Sequence, residues 1–104
     1  MGITEKRSEI SLLFDFYSPL LSERQREAID LYYNNDLSLS EIAENLGITR
    51  QGVRNALVTG EEYLIFLEKS LKLAEYDKRV RTVAKKIIGS TKDEKIINEA
   101  KKLL

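Results

Sequence analysis

Residues 40–57 read SEIAENLGITRQGVRNAL, and the placement of small and apolar residues in that run decides the fold. Ile42, Ala43, Leu46, Gly47, Ile48 and Val53 fall where two short helices crossing over a tight turn must touch, which is the sequence form of a helix-turn-helix. Ala43 offers only a methyl at the crossing point, where a longer side chain would push the helices apart. Ile42 and Leu46, four apart, share one face of the first helix, and Gly47 follows its last turn in a position suited to the left-handed conformation that ends a helix. Ile48 fills the corner, Thr49 caps the next helix, and Val53 points back toward Ile42 and Leu46. The outward positions of the second helix are then Arg50, Gln51, Arg54 and Asn55. Arg, Gln and Asn are the side chains that make paired hydrogen bonds to guanine and adenine edges in the major groove. A solvated helix displays the same residues, and some helix-turn-helix units serve only as packing modules, so the pattern speaks first for the fold and second for the activity.

Composition sets the outer limits. With 104 residues and 42% hydrophobic content, the chain suffices for one helical domain over residues 1–104, with a helix-turn-helix core over 22–60 and an extension over 61–104. One Pro and five Gly, amid abundant Leu, Ile, Glu and Lys, favour an all-α fold without a β wing. The absence of Cys removes disulfides and thiolate metal sites, and the absence of His removes the commonest general base and metal ligand. The carboxylates are scattered rather than set at ligand spacing, so neither a metal nor a cofactor is expected. The opening Met1-Gly2-Ile3-Thr4-Glu5 runs into charged residues, and no apolar stretch reaches the length of a signal peptide or membrane span. A cytoplasmic protein is the expectation.

Seventeen basic and seventeen acidic residues cancel, whereas a DNA-binding domain usually carries a basic excess. The distribution matters more than the total. Residues 49–60 hold Arg50 and Arg54 and no acid, residues 61–77 are acidic, and residues 78–86 contain Lys78, Arg79, Arg81, Lys85 and Lys86 with no acid. Such a basic run is either a solvated helix face or a contact for phosphate or an acidic partner.

Helical periodicity runs through the whole chain. Ile10, Leu13, Phe14 and Tyr17 predict a first helix from about Thr4 to Tyr17, with Leu12 and Phe16 extending its apolar surface. Pro19 marks a break. Ser22 and Gln25 form a capping box for a second helix carrying Ala28, Ile29, Leu31, Tyr32 and Tyr33, which ends in the turn Asn34-Asn35-Asp36. Ser38 caps the third helix with Glu41 as reciprocal partner, and Thr49 starts the fourth. Val53, Leu57, Gly60, Leu64, Leu67, Leu71 and Ala74 follow alternating spacings of four and three, a heptad seam predicting one continuous helix of about 25 residues. The facing surface is either the first helix of the same chain or a second subunit in a two-fold dimer. Gly60, on the seam, marks a bend or a close approach. Two short amphipathic helices follow: Val80, Val83, Ala84, Ile87 and Ile88 form one stripe that Gly89 breaks, and Ser90 or Thr91 caps a last helix with Ile96, Ile97, Ala100, Leu103 and Leu104.

The run LSERQREAIDLYYNNDLSLSEIAENLGITRQGVRNAL, Leu21 to Leu57, resembles region 4 of the sigma-70 factors, which reads the promoter element near position minus 35. More closely, LLFDFYSPLLSERQ, the core IDLYYNNDLSLSEIAENLGITRQGV and the acidic, Leu-rich helix after it resemble the YlxM family of small bacterial proteins, whose genes lie beside those of the signal recognition particle. The resemblance spans about Ser8 to Ala74; a sigma fragment lacks the LLFDFYSPLL helix and usually has a branched apolar residue where Ala56 stands, a packing role that here passes to Leu57. It implies a sigma-4-like helix-turn-helix protein that binds double-stranded DNA and regulates the signal recognition particle pathway. Carried over by position, Thr49, Arg50, Gln51, Arg54 and Asn55 are its base-reading and phosphate-contacting residues, with Ser38 and Ser40 near the DNA backbone. Relatives tend to carry Lys and Arg just after this stretch, where this chain has Val58, Thr59 and Gly60, which removes two phosphate contacts. Weaker DNA affinity is expected.

Two non-enzymatic classes remain in play. A sequence-reading DNA-binding homodimer fits the outward Arg, Gln and Asn. An adaptor for protein or RNA of the targeting particle fits the neutral charge and wide apolar surface. Catalysis has no His, Cys, Gly-rich phosphate loop or pocketed carboxylate pair to work with.

Overall fold

The computed structural model describes the backbone of residues 2–104 and the side chains of residues 9–104; Met1, where the reading of the chain's opening begins, lies outside the described residues. All regular structure among them is helical. Helix α1 spans Gly2–Tyr17, α2 Glu23–Ile29, α3 Leu39–Leu46, α4 Arg50–Leu71, α5 Leu73–Ser90 and α6 Glu94–Lys101. The chain divides into two compact units, Met1–Leu71 and Lys72–Leu104.

In the first unit the local signals act where the residues place them. Pro19 sits in a short 3-10 turn, Ser18–Leu20, that ends α1. Both capping boxes form: Ser22 Oγ accepts from Gln25 N at 3.2 Å while Ser22 N donates to Gln25 Oε1 at 3.0 Å, and Ser38 and Glu41 repeat the pattern at 3.1 and 3.0 Å. One feature departs from regular periodicity. After Ile29 the helix widens into a π-helical turn, Asp30–Asn34, closed by Leu37 N donating to the Leu31 carbonyl at 3.1 Å and by Asn34 Nδ2 donating to Asp30 Oδ1 at 2.8 Å. Asp36 then takes φ 56°, which a short polar side chain tolerates.

Helix α4 organises this unit. Val53, Leu57, Gly60, Leu64 and Leu67 are buried on one side of it, covered by α2, α3 and α1 of the same unit. The seam therefore finds its facing surface within the chain, and α2 supplies more of it than α1. Gly60 marks a close approach: a Cβ there would lie 2.6 Å from Ile29 Cδ1 and 3.3 Å from Gln25 Cβ. Tyr17, wholly buried, donates its phenol proton to Glu68 Oε1 at 2.6 Å, tying the end of α1 to α4. The helix runs 22 residues, slightly short of the expected length. It stops where Lys72 adopts φ 55°, and Leu71, its last residue, keeps the seam's register but is 51% exposed.

The second unit corrects two expectations. Helix α5 begins at Leu73 and carries Gly89 inside its last turn, so this glycine does not break the stripe. The cap of α6 is Asp93 rather than Ser90 or Thr91: Asp93 Oδ1 accepts from Lys95 N at 2.9 Å. Thr91 instead ends α5 in an extended conformation, and its Oγ1 accepts from Asp93 N at 3.1 Å. Ala84 and Ala100 are buried where α5 and α6 pack together. No helix among the described residues is long and apolar enough to cross a membrane.

Candidate nucleic-acid interface

The turn between α3 and α4 has the construction that its residues demand. Gly47 takes φ 67°, ψ 34°, with its N–H donating back to the Ala43 carbonyl. Ile48 N also donates to the Ala43 carbonyl, at 3.0 Å, and Thr49 Oγ1 accepts from Gly52 N at 2.9 Å as α4 begins. The Ile48 side chain lies against Gly52, where a Cβ would meet Ile48 Cδ1 at 3.5 Å. Ile42 and Val53 are fully buried and Ala43 is nearly so. Arg24, from α2, donates to the Leu46 carbonyl at 3.4 Å and so covers one of the unpaired acceptors at the end of α3.

This packing fixes what α4 turns outward. Arg50, Gln51, Arg54 and Asn55 occupy its first two turns and all are exposed. Gln51 Nε2 donates to Asn55 Oδ1 at 3.0 Å, an i, i+4 pair that holds both amides on one face. Thr49, at the start of α4, and Ser38 and Ser40, at the start of α3, are exposed as well. The Thr49 hydroxyl accepts the Gly52 N–H and keeps a proton to donate outward, whereas the Ser38 hydroxyl accepts the Glu41 N–H and turns its own proton to the Glu41 carboxylate. Glu41 completes the α3 cap, and its hydrogen bonds from the Ser38 backbone and hydroxyl hold its carboxyl below the usual glutamate range.

The stretch after Asn55 divides in a way that sequence alone did not show. Val58 and Thr59 are exposed, whereas Gly60 is buried against Ile29. Thr59 Oγ1 donates to the Asn55 carbonyl at 2.8 Å and accepts from Gln25 Nε2 at 3.3 Å, so its hydroxyl is occupied within the fold. Only two of the three positions thus have room for an outward basic side chain. The next residues are Glu61, which accepts the Tyr33 phenol proton, and the exposed Glu62. Between Arg54 and Lys69, the latter in the last turn of α4, the helix carries no basic residue.

A family model described as "Putative helix-turn-helix protein, YlxM / p13 like", UPF0122, matches residues 4–104. The chain belongs to the UPF0122 family. Among its relatives, the UPF0122 protein of Clostridium kluyveri is 43% identical over 84 residues, covering 81% of this chain and 76% of that one. A UPF0122 protein of Bacillus cereus is 38% identical over 101 residues, covering 96% and 92% of the two chains. One from Acetivibrio thermocellus reaches 51% identity over 69 residues, or 66% and 59% of the two chains. UPF0122 membership covers both compact units, including the C-terminal pair of helices that lies beyond the resemblance to sigma region 4.

Proposed function

We propose that this chain is a DNA-binding regulator of transcription that lays the N-terminal end of α4 in the major groove. The observation that carries the reading is the coincidence, on two turns of one helix, of exposed Arg50, Gln51, Arg54 and Asn55 with a buried opposite side formed by Val53, Ala56 and Leu57. Arg50 and Arg54 have the donor geometry for guanine, and the amides of Gln51 and Asn55 have that for adenine. Thr49, Ser38 and Ser40, at the two helix starts, contact phosphate oxygens, where hydroxyl donors and helix N-termini are both favourable. On this reading the protein works in the cytoplasm as a homodimer. The exposed apolar side chains Leu12, Tyr63, Ile65 and Phe66 are the material for that association. Two recognition helices then meet half-sites about one duplex turn, roughly 34 Å, apart.

The same apolar side chains support a second reading, an adaptor that engages protein or RNA of the signal recognition particle. Phe66 is 59% exposed and stacks on Tyr63 with ring centroids 6.2 Å apart, a ready contact for a protein partner. Selection from random duplexes separates the two. The DNA reading expects an enriched motif, and its absence from a well-folded sample, together with binding to particle RNA or protein, favours the adaptor.

A further inference from the structure

The neutral total charge hides a division. Residues 1–71 carry twelve Asp and Glu against seven Lys and Arg, whereas residues 72–104 carry five against ten. The unit with the helix-turn-helix is therefore five charges negative, and the two-helix unit is five positive. Within residues 9–71 two of the five basic side chains are held in the fold: Arg24 by the Leu46 carbonyl at 3.4 Å, and Arg26 by the carbonyls of Ser18 and Leu21 at 3.1 and 3.0 Å. Arg50, Arg54 and Lys69 remain to face a polyanion. That is a weak electrostatic basis for holding DNA, where affinity is dominated by phosphate contact.

Helix α5 is built differently. Val80, Ala84 and Ile87 recur on one side of it, and Lys78, Arg79, Lys85 and Lys86 fall on the other. They form two rows, Lys78 with Lys85 and Arg79 with Lys86, the members of each row seven residues and so about 10.5 Å apart along the axis. All four are exposed, and none is in an ion pair among the described residues, whereas Arg81 is paired with Asp77 at 2.9 Å. Glu75 is the one carboxylate that shares this side.

We infer that this face of α5 is the main phosphate-contacting surface of the protein, and that its ligand is the sugar-phosphate backbone of duplex DNA. The choice of ligand rests on the proposed DNA reading; the choice of surface rests on the charge division. Long, solvated cations with no apolar residue between them do not discriminate among bases or fill a protein pocket. They match a regular array of negative charge, which duplex DNA presents at one phosphate per about 1.7 Å of axis. Labour then divides along the chain: α4 selects the sequence and α5 supplies the sequence-independent attraction.

The test uses the full chain and fluorescence anisotropy on a selected duplex and a random duplex across a salt series. Replacing Lys78, Arg79, Lys85 and Lys86 together by Gln removes four contacts, each contributing about 0.9 to the slope of log affinity against log salt. Between 50 and 200 mM salt the parent chain should lose roughly a hundredfold more affinity than this variant, on both duplexes alike. The ratio between selected and random sequence should stay unchanged. A variant with Lys78, Lys85 and Lys86 replaced by Arg keeps the charge and should keep the parent slope. Circular dichroism must show all chains equally helical, as expected for exposed positions. An unchanged salt slope in the Gln variant overturns the inference, as does a loss confined to structured RNA, or to self-association through the acidic unit of a second copy. Failure of the DNA reading looks different: the selected duplex shows no preference over random sequence, while the slope still falls with the Gln variant.

Discussion

Gly60 faces Ile29 so closely that a single added methyl would sit 2.6 Å from Ile29 Cδ1, and Ile29 is wholly buried. Glycine in a helix interior costs about 1 kcal/mol relative to alanine, so Gly60→Ala would stabilise an isolated helix. In this protein the clash should reverse the sign and cost about 1 to 3 kcal/mol in urea denaturation. Ile29→Val removes the offending carbon at a cost of about 0.5 to 1.5 kcal/mol by itself. The double variant should be more stable than the sum of the two single effects allows. Simple additivity would mean that α2 and α4 do not meet closely at this point.

Glu41 supplies a pH dependence with a definite direction. Its carboxyl is held below the usual range by hydrogen bonds from Ser38, so the folded state favours the ionised form. The stability this contributes is fully present above the ordinary glutamate value of about 4.3 and is lost as pH falls through the lower folded value. Glu41→Gln keeps an acceptor for the Ser38 N–H but cannot ionise. Thermal melts of parent and variant should therefore differ by a constant amount at neutral pH and converge in acid. A difference that persists unchanged to the lowest pH at which both chains fold would remove Glu41 as the cause.

Arg50 and Arg54 should be separable from folding. Both are exposed on α4. Changing either to Ala should weaken binding to a selected duplex by about 1 to 3 kcal/mol while leaving the melting temperature in place. Ala43→Leu, at the crossing of α3 and α4, should instead lower stability and binding together, since overpacking there forces the helices apart. If the Arg variants bind a selected duplex as the parent does, these side chains do not read it.

Val58→Lys should raise DNA affinity. The position is 44% exposed and follows Arg54 by four residues, so a lysine there projects from the same side of α4. One further phosphate contact should steepen the salt dependence of binding by about 0.9 unit. Gly60→Lys offers the opposite outcome, because its side chain would enter the contact with Ile29. Equal gains at both positions would contradict the inward placement of residue 60.

Sequence reading located the features that rest on local chemistry. Both capping boxes, the left-handed Gly47 and the Thr49 cap follow from hydrogen bonds within three or four residues, and such signals are visible without a fold. The seam from Val53 to Leu67 was equally plain, since burial leaves a periodic trace. Its continuation past Leu71 to Ala74 was not real, since Ala74 lies on α5. The apolar spacing carries on while Lys72 turns left-handed, and lysine gives no sign of a turn as glycine or proline would. The π-helical turn at Asp30–Asn34 likewise has no compositional signature. The cap of α6 was misplaced because Ser90, Thr91 and Asp93 are all good caps, and only packing decides among them. For the interface, the outward face of α4 was legible from the inward one. The commitments of Arg24 and Arg26, and that of Thr59 to Gln25, were not, because these partners lie 5 to 34 residues away.

The unbroken course of α4 has one more consequence. Its 22 residues make a rod of about 33 Å, with Arg50 and Gln51 on its first turn and exposed Ile65 and Phe66 near its far end. Two ligands engaging opposite ends of a single stiff rod are thermodynamically linked whenever either one tilts it. A partner seated at the Phe66 end that changes the affinity at the Arg50 end by some factor must itself be bound more or less tightly, by that same factor, when the Arg50 end is occupied. Regulation through this helix would have to be mutual.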